Sequence, residues 1–320
     1  MVTRNEVVYA FRLLLGRDPE DEAVIESFLH VANWANLRSL FLECDEFKIK
    51  SKADAYIHGL TDFIMSPPNA VDVEISEEHF DRLVKHVQTA WENLGTEKPH
   101  WSVLTNPKFL PDNIGANVAG FYDTGESSVQ ILEKAAARAG EILSPDWTCF
   151  ELGCGVGRVT PYLAARFKHV IASDISNPHL QIASDHLQSK SVRNVTLVQL
   201  KSLDTLKNIE PFDVFYSVIV LQHNPPPLIH RMLQLILDKV RTGGCVYFQV
   251  PVAYPGYRFS IADYLEAIER GEGTMEMHVL PQSYLFRLLD EHGFRILDLQ
   301  RDNWPGPEFH SLTVFAGKIR

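Results

Sequence analysis

One short stretch decides the fold of this chain: Phe150-Glu151-Leu152-Gly153-Cys154-Gly155-Val156-Gly157-Arg158. It joins an apolar run that begins at Trp147 to a segment of helical spacing that begins near Val159. Glycine is required where a backbone turns with positive φ, or where a ligand approaches the main chain with no Cβ in the way. Three glycines at alternate positions between a strand and a helix therefore predict a turn that cradles a small ligand.

Spacing separates the nucleotide-binding motifs that this turn could represent. A P-loop ends in Gly-Lys-Ser/Thr, whereas Gly157 is followed by Arg158 and Val159. The dinucleotide fingerprint needs its third glycine at position 158, so the arginine disfavours NAD and leaves it as an alternative. A second apolar run ends in Asp174, about twenty residues beyond Gly153, where a carboxylate accepts hydrogen bonds from ribose hydroxyls. We therefore expect a ligand that carries a ribose.

These residues resemble the class I S-adenosylmethionine-dependent methyltransferases, whose first motif is Glu/Asp-x-Gly-x-Gly-x-Gly. The resemblance implies S-adenosylmethionine as the cofactor, with the three glycines along its methionine part. It implies that Glu151 supports the amino group and that Asp174 holds the ribose. The cofactor-binding residues that it implies are Tyr122, Glu151, Gly153, Cys154, Gly155, Gly157, Arg158, Asp174, Ile175, Ser202, Leu203 and Leu221.

One position departs from the pattern of that family. After the third strand, the family usually has an acid that meets the adenine amino group, and Lys201 stands at this place. The backbone of Ser202 and Leu203, or the side chain of Asp204, could make that contact instead.

The order of elements after Asp174 predicts the fold class. Helical stripes alternate with apolar runs, among them 214–221 and 245–252, and such runs are typical of strands buried on both faces. A helix from about Leu228 to Val240 is expected to end at Gly243-Gly244. We predict a doubly wound α/β sheet. The resemblance, which covers about residues 120–320, implies a seven-stranded Rossmann-like methyltransferase sheet closed by an antiparallel hairpin.

We expect the chain to divide into a helical N-terminal module (1–60), a bridging or cap segment (61–120) and the methyltransferase domain (121–320). Within the last domain, residues 253–280 are too many for an ordinary connection and predict a substrate lid. The module carries helical spacing over residues 7–15, a helix restart at Asp18-Pro19 and a third helix near Leu37. Residues 9–19 and 41–47 resemble a short helical domain attached to glycosyltransferases, methyltransferases and secreted bacterial proteins. This resemblance implies surface-polysaccharide enzymology and docking of a protein or substrate.

Three residues are predicted to act in catalysis. His223 follows the fourth strand, so it is expected at the mouth of the pocket, where a neutral imidazole could take a proton from the acceptor. Glu276 and His278 alternate with apolar residues, so both side chains could share one face of an extended segment. There they could bind the hydroxyls of a sugar or serve as an alternative base. The alternatives are an ordering role for His223 and a solvated edge strand at 276–278. Direct displacement can also proceed by alignment alone, with no base.

Three aromatic residues precede the core. Tyr122 is expected to contact the cofactor, and Trp91 and Trp101 could stack on a sugar ring, although ordinary packing is the commoner role of large aromatics.

Composition excludes several classes of function. A net charge of -11 and a pI near 5.6 disfavour nucleic acid as the partner, because phosphate binding needs clustered Lys and Arg. The sequence has no apolar run of eighteen residues and no signal peptide pattern, so we expect no membrane span and a cytoplasmic location. Its four cysteines and thirteen histidines lack metal-ligand spacing, so no metal is expected.

We therefore predict an enzyme that moves a methyl group from S-adenosylmethionine to a hydroxyl or amine of a small acceptor. The N-terminal module favours a sugar in surface-polysaccharide biosynthesis as that acceptor. The alternative is a non-catalytic protein that binds S-adenosylmethionine as a sensor.

Overall fold

The computed structural model describes residues 1–48, 67–271 and 275–319. They belong to two compact units, one within Met1–Ser66 and one within Pro67–Arg320. The module boundary predicted at residue 60 lies outside the described residues. Each unit is described by itself.

The N-terminal unit is helical, as its apolar spacing predicts. Its α-helices are α1 (Arg4–Ala10), which continues as a π-helical turn through Leu15, α2 (Glu22–Phe28) and α3 (Trp34–Glu43). The side chain of Asp21 accepts from the backbone N–H of Val24, so α2 begins at Glu22 and not at Asp18-Pro19 as expected. Phe11, Phe28 and Phe41 pack edge to face or tilted in its core.

An ion pair joins the two parts of the N-terminal sequence pattern. Arg17 donates from Nε and Nη2 to the two carboxylate oxygens of Glu46, each at 2.7 Å. Such a two-bond pair is more directional than a single contact between charges. The segments 9–19 and 41–47 therefore form one structural feature.

The larger unit alternates helices and strands. Its α-helices are α4 (Glu77–Glu97), α5 (Pro99–Val103), α6 (Pro111–Ala139), α7 (Thr160–Arg166), α8 (Asn177–Ser189), α9 (Leu203–Lys207), α10 (Pro226–Lys239), α11 (Ile261–Glu269) and α12 (Gln282–Glu291). Its strands are β1 (Ala70–Val71), β2 (Thr148–Leu152), β3 (His169–Asp174), β4 (Val195–Gln199), β5 (Phe212–Ser217), β6 (Val240–Ala253), β7 (Arg258–Phe259), β8 (Phe294–Asp302) and β9 (His310–Lys318).

The described strands form a seven-stranded sheet of order β4-β3-β2-β5-β6-β9-β8. The first five are parallel, and β9 runs antiparallel between β6 and β8. The order reverses between β2 and β5, so the carboxyl ends of these strands diverge there and leave a crevice. The predicted doubly wound sheet and its closing hairpin are confirmed.

The pair Gly243-Gly244 does not end a helix. Helix α10 ends at Lys239, and the glycines lie within β6. A Cβ on Gly244 would approach the backbone oxygen of Asp213 to 2.3 Å, so the neighbouring strand requires glycine here. The expectation was wrong because strand contacts, and not helix termination, account for this glycine.

Two long helices run through the predicted bridging or cap segment. In α4, Phe80, Leu83 and Val87 are buried at helical spacing, and each such side chain contributes about 1.5–3 kcal/mol relative to exposure. In α6, residues 121–126 lie mid-helix, so the boundary expected at residue 121 falls inside one continuous element.

The predicted cap and lid are fastened to each other. Strand β1 pairs in parallel with β7, and Asn69 donates from Nδ2 to the backbone oxygens of Tyr254 and Tyr257 at 2.8 and 3.1 Å. The carboxylate of Asp72 accepts from the N–H of Ile261 at 2.9 Å. Residues 272–274 of the predicted lid lie outside the described residues.

Across the described segments, no helix is long and apolar enough to span a bilayer.

Candidate functional site

A cleft of ≈ 1160 Å³, counted to its open mouth, lies beyond the carboxyl ends of β2, β3 and β5. This is the edge of the sheet at which the strand order reverses. Helix α4 contributes Val84, Val87 and Trp91 to the cleft, and α10 contributes Leu228 and Met232. Its volume matches or exceeds the roughly 300–1,000 Å³ of ordinary small-molecule sites.

The glycine turn forms one wall of this cleft. Gly153, Gly155 and Gly157 have φ of +75°, +54° and +78°, in the left-handed region that side chains disfavour. A Cβ on Gly153 would lie 2.3 Å from Cγ2 of Val220, and one on Gly155 would lie 2.6 Å from Cγ2 of Val103. Both conformation and space therefore require glycine at the first two positions.

Asp174 organises the same turn. Its Oδ2 accepts from the N–H of Gly155 at 2.8 Å, and its Oδ1 accepts from the N–H of Ser176 at 2.9 Å. Each carboxylate oxygen can accept more than one hydrogen bond, so both can still take a hydroxyl from a ligand. Asp174 thus links the glycine turn to the start of α8 and lines the cleft.

Glu151 is buried at the base of the cleft. Burial raises the pKa of its carboxyl to about 7, against the hydrogen bond from Thr160 and the charge of Arg158. Thr160 donates to Oε2 at 2.7 Å, while among the described residues Oε1 accepts no hydrogen bond. A cationic ligand group beside Oε1 would favour the ionised carboxylate.

Arg158 brings a buried positive group to the cleft. Its Nη1 donates to the hydroxyls of Thr124 and Ser128, each at 3.2 Å, and its Nε is buried with no partner in the described chain. Burial lowers the pKa of the guanidinium. The unpaired N–H is therefore available to an anionic group of a ligand. Helix α6 packs closely on the backbone of Arg158. A Cβ on Gly125 of this helix would lie 2.0 Å from the backbone oxygen of Arg158, so the contact requires glycine.

His223 lies behind the cleft and not on its surface. Its Nδ1 donates to the backbone oxygen of Glu276 at 2.8 Å, and its Nε2 accepts from the Gln222 amide at 3.2 Å. The Trp91 ring packs edge to face with the imidazole, with ring centroids 5.3 Å apart. Burial lowers the pKa of His223 to about 4, so the imidazole is neutral at pH 7 and a weak base.

Glu276 and His278 do share one face, as their alternation predicts, but they bind each other. His278 Nε2 donates to Glu276 Oε2 at 2.8 Å, and Tyr264 donates to the same oxygen at 2.5 Å. His86 of α4 donates to Oε1 at 3.1 Å. Burial opposes ionisation of Glu276, but the bonds from His278, His86 and Tyr264 outweigh it and lower the pKa.

Most of the predicted cofactor residues come together at the cleft. Those that line it are Glu151, Gly153, Cys154, Gly155, Arg158, Asp174, Ile175, Ser202 and Leu203. The lining given by the described residues does not include Gly157, Leu221 or Tyr122. Tyr122 instead stacks on His186, with ring centroids 3.5 Å apart, and donates to the Val156 oxygen at 3.4 Å. It also does not include the predicted catalytic residues His223, Glu276 and His278.

Several lining residues were missed from sequence. Asn224 and the segment 218–220 follow β5, and Ser102 and His179 meet at 2.8 Å beside the cleft. Val84 and Val87 of α4 were missed as well, although their helical spacing after the N-cap Ser76 was readable, whereas Trp91 was expected near the acceptor and does line the cleft. The contact between Ser102 and His179 had no local signal, because 77 positions separate the two residues.

The model of a methyltransferase domain family matches residues 150–244, which run from the glycine turn to β6. The chain carries a methyltransferase domain, and its fold is shared with a methyltransferase crystallised with the demethylated cofactor. The predicted family, enzyme class and cofactor are confirmed.

Two curated methyltransferases illustrate the likeness in sequence. A ubiquinone biosynthesis O-methyltransferase of Coxiella burnetii (strain RSA 331 / Henzerling II) is 25% identical over 167 residues, 51% of this chain and 67% of that protein. A tRNA/tmRNA (uracil-C(5))-methyltransferase of Azotobacter vinelandii is 40% identical over 65 residues, 19% of this chain and 18% of that protein. Both matches leave much of this methyltransferase outside the alignment.

Among solved structures, magnesium protoporphyrin IX methyltransferase from Synechocystis PCC 6803 with bound SAH is similar in fold. It has a TM-score of 0.50 at 17% identity, over 72% of this chain and 98% of that one. At this identity the match shows a common fold. No group of three or more His, Cys, Asp or Glu in the described part of the methyltransferase is placed to hold a metal.

Proposed function

We propose that this methyltransferase moves the sulfonium methyl group of S-adenosylmethionine to a hydroxyl or amine of a small acceptor bound in the cleft. The observation that carries the proposal is the glycine turn, whose Gly153 and Gly155 line the cleft. The acidic Glu151 and the basic Arg158, both buried, line the cleft next to this turn. A ligand with an ammonium, a carboxylate and a ribose complements these groups.

The residues fit the cofactor one group at a time. Oε1 of Glu151 suits the ammonium, the unpaired Nε of Arg158 suits the carboxylate, and Asp174 suits the ribose hydroxyls. The apolar side chains of Ile175 and Leu203 suit a flat base ring. When bound, S-adenosylmethionine supplies a methyl group activated by a sulfonium.

Alignment, and not a strong base, is the proposed source of catalysis. The acceptor oxygen or nitrogen forms a bond to the methyl carbon as the carbon–sulfur bond breaks, and its proton leaves to water. A base with the low pKa of His223 and with both ring nitrogens bonded contributes little to that proton transfer. Holding the acceptor atom in line with the methyl group is what the cleft can contribute.

The far walls of the cleft bear on the chemical class of the acceptor. Beyond the turn, the cleft is lined by apolar side chains: Val84, Val87, Trp91, Leu206, Leu228 and Met232. Such a wall favours an acceptor with an apolar body and one hydroxyl or amine. A sugar acceptor, docking through the N-terminal module, exclusion of nucleic acid and a cytoplasmic location all stay predictions.

Calorimetry with S-adenosylhomocysteine tests the cofactor site. Asp174→Ala should weaken binding by about 1–3 kcal/mol, because it removes charge-assisted hydrogen bonds to the ribose. Asp185→Ala, an exposed acid on α8, is the matched control and should bind as the wild type does. Equal affinities for the wild type and Asp174→Ala would refute the ribose assignment.

A transfer assay tests the reaction. Purified protein with methyl-labelled S-adenosylmethionine and cell extract should label an organic-soluble fraction if the acceptor is apolar. Label in a water-soluble glycan fraction would support the sugar prediction. Binding without label in any fraction would favour the sensor alternative, which is consistent with the absence of the three predicted bases from the described lining.

A further inference from the structure

Ile219 has a backbone conformation that its side chain disfavours. Its φ is +62°, in the left-handed region, where a β-branched residue is a genuine outlier. Ile219 follows β5 and lines the cleft together with Val218 and Val220. Strained backbone of this kind persists only where the surrounding structure holds it in place.

Gln249 provides that restraint from the middle of β6. The residue is fully buried, and its Oε1 accepts from the N–H of Ile219 at 3.0 Å. Its Nε2 donates to Oγ of Ser311 on β9 at 2.7 Å, and Ser311 is fully buried too. Since a backbone N–H can only donate, the amide oxygen must face Ile219 and the amide nitrogen must face Ser311.

The turn at Ile219 sets the position of the next residues. Val220 packs its Cγ2 against Gly153, where a Cβ would have stood 2.3 Å away. The backbone oxygen of Val220 accepts from the N–H of His223 at 3.0 Å and from Nδ2 of Asn224 at 2.9 Å. The wall facing the glycine turn, and the Asn224 side chain in the cleft, therefore depend on the conformation of Ile219.

We propose that Gln249 is a positioning residue of the methyl-transfer site: by binding the N–H of Ile219 it holds the 218–224 wall against the glycine turn. It acts through Ile219 and does not line the described cleft. The role as part of a transfer site rests on the proposed function, whereas the restraint on Ile219 rests on the hydrogen bonds alone.

Gln249→Met tests the proposal, because it keeps side-chain length and removes the acceptor. Hydrogen exchange at the Ile219 amide, followed by NMR, should lose at least about tenfold of its protection. Affinity for S-adenosylhomocysteine should fall about tenfold, because the ligand must then offset the cost of the left-handed conformation of Ile219. Ser311→Ala, which leaves the Ile219 bond in place, should have a smaller effect and serves if Gln249→Met does not fold.

Rescue separates positioning from general damage to the core. In an Ile219→Gly background the left-handed conformation carries no penalty, so Gln249→Met should change the affinity less than about twofold. In the matched Ile219→Ala background, which also lacks the side chain but keeps the penalty, the loss should remain near tenfold.

Equal losses in the two backgrounds, or unchanged protection of the Ile219 amide, would overturn the proposal. Failure of the wild type to bind S-adenosylhomocysteine would instead refute the proposed function, and the exchange measurement would still test the restraint.

Discussion

The donor cradle (residues 150–176) has buried polar groups, and the lid cluster (Glu276 with His86, Tyr264 and His278) has buried and half-buried ones. The two regions use these groups in opposite ways. In the cradle, Oε1 of Glu151 and Nε of Arg158 have no partner in the described chain. In the lid cluster, both oxygens of Glu276 are bound by neighbouring side chains.

This difference shows how a binding site is told from a structural network. A buried polar atom without a partner lowers stability by about 1–3 kcal/mol, so a fold keeps one where a ligand can supply the missing bond. A network whose members bind one another stabilises its own position and has less to offer a ligand. We therefore propose the cradle as the ligand site, whereas the lid cluster fastens residues 275–280 to α4.

A single added methyl group in the glycine turn of the cradle should cause the largest loss of stability. Gly153→Ala should lower the free energy of unfolding by about 2–5 kcal/mol, since it adds left-handed strain to a clash with Val220. Gly140→Ala is the matched control, because φ there is +73° but nothing lies within 4 Å of the new Cβ. It should lose only about 1–2 kcal/mol. Urea denaturation measures both, and equal losses would show that Val220 does not crowd the turn.

Glu151 of the cradle and His223, which binds the backbone of the lid cluster at Glu276, should respond to pH with opposite sign. The pKa of Glu151 is raised to about 7 from 4.5, so its contribution to stability is full below pH 4.5 and is lost as pH rises through 7. The pKa of His223 is lowered to about 4 from 6.5, so its contribution is full above pH 6.5 and is lost as pH falls toward 4.

Variants of these two residues make the opposition measurable between pH 4.5 and 6.5. Removing one titration changes the slope of unfolding free energy against pH by at most about 1.4 kcal/mol per pH unit. His223→Gln should make the slope more negative, and Glu151→Gln should make it more positive. Slopes that shift in the same direction for both variants would contradict the assigned burial effects.

The lid cluster should give the smallest effect. Glu276→Gln keeps the shape of the side chain but weakens its bonds to His86 and His278, so stability should fall by about 1 kcal/mol. Its affinity for S-adenosylhomocysteine should change less than about twofold, because no member of the cluster lines the described cleft. A tenfold loss of affinity would show that the lid cluster contributes to ligand binding and would contradict its assignment as a structural network.

Local signals account for what could be predicted. The apolar run before Gly153 and the acid at Asp174 lie within one strand–turn–helix–strand unit, so residue order sets their relation. The same reasoning failed at Gly243-Gly244, where the requirement for glycine comes from Asp213 on the neighbouring strand. It also missed the Ile219 conformation, since the acceptor that stabilises it lies 30 residues away.

The order of the amino acids alone leads to the fold class, the cofactor and the glycine turn, because strand spacing and backbone conformation are local properties. Only the tertiary structure decides which polar groups remain without a protein partner and can bind a ligand. His223, Glu276 and His278 are chemically able to accept a proton, but packing brings them behind the cleft and binds them to one another or to the backbone. Partner choice depends on contacts between distant segments, and those contacts exist only in the folded chain.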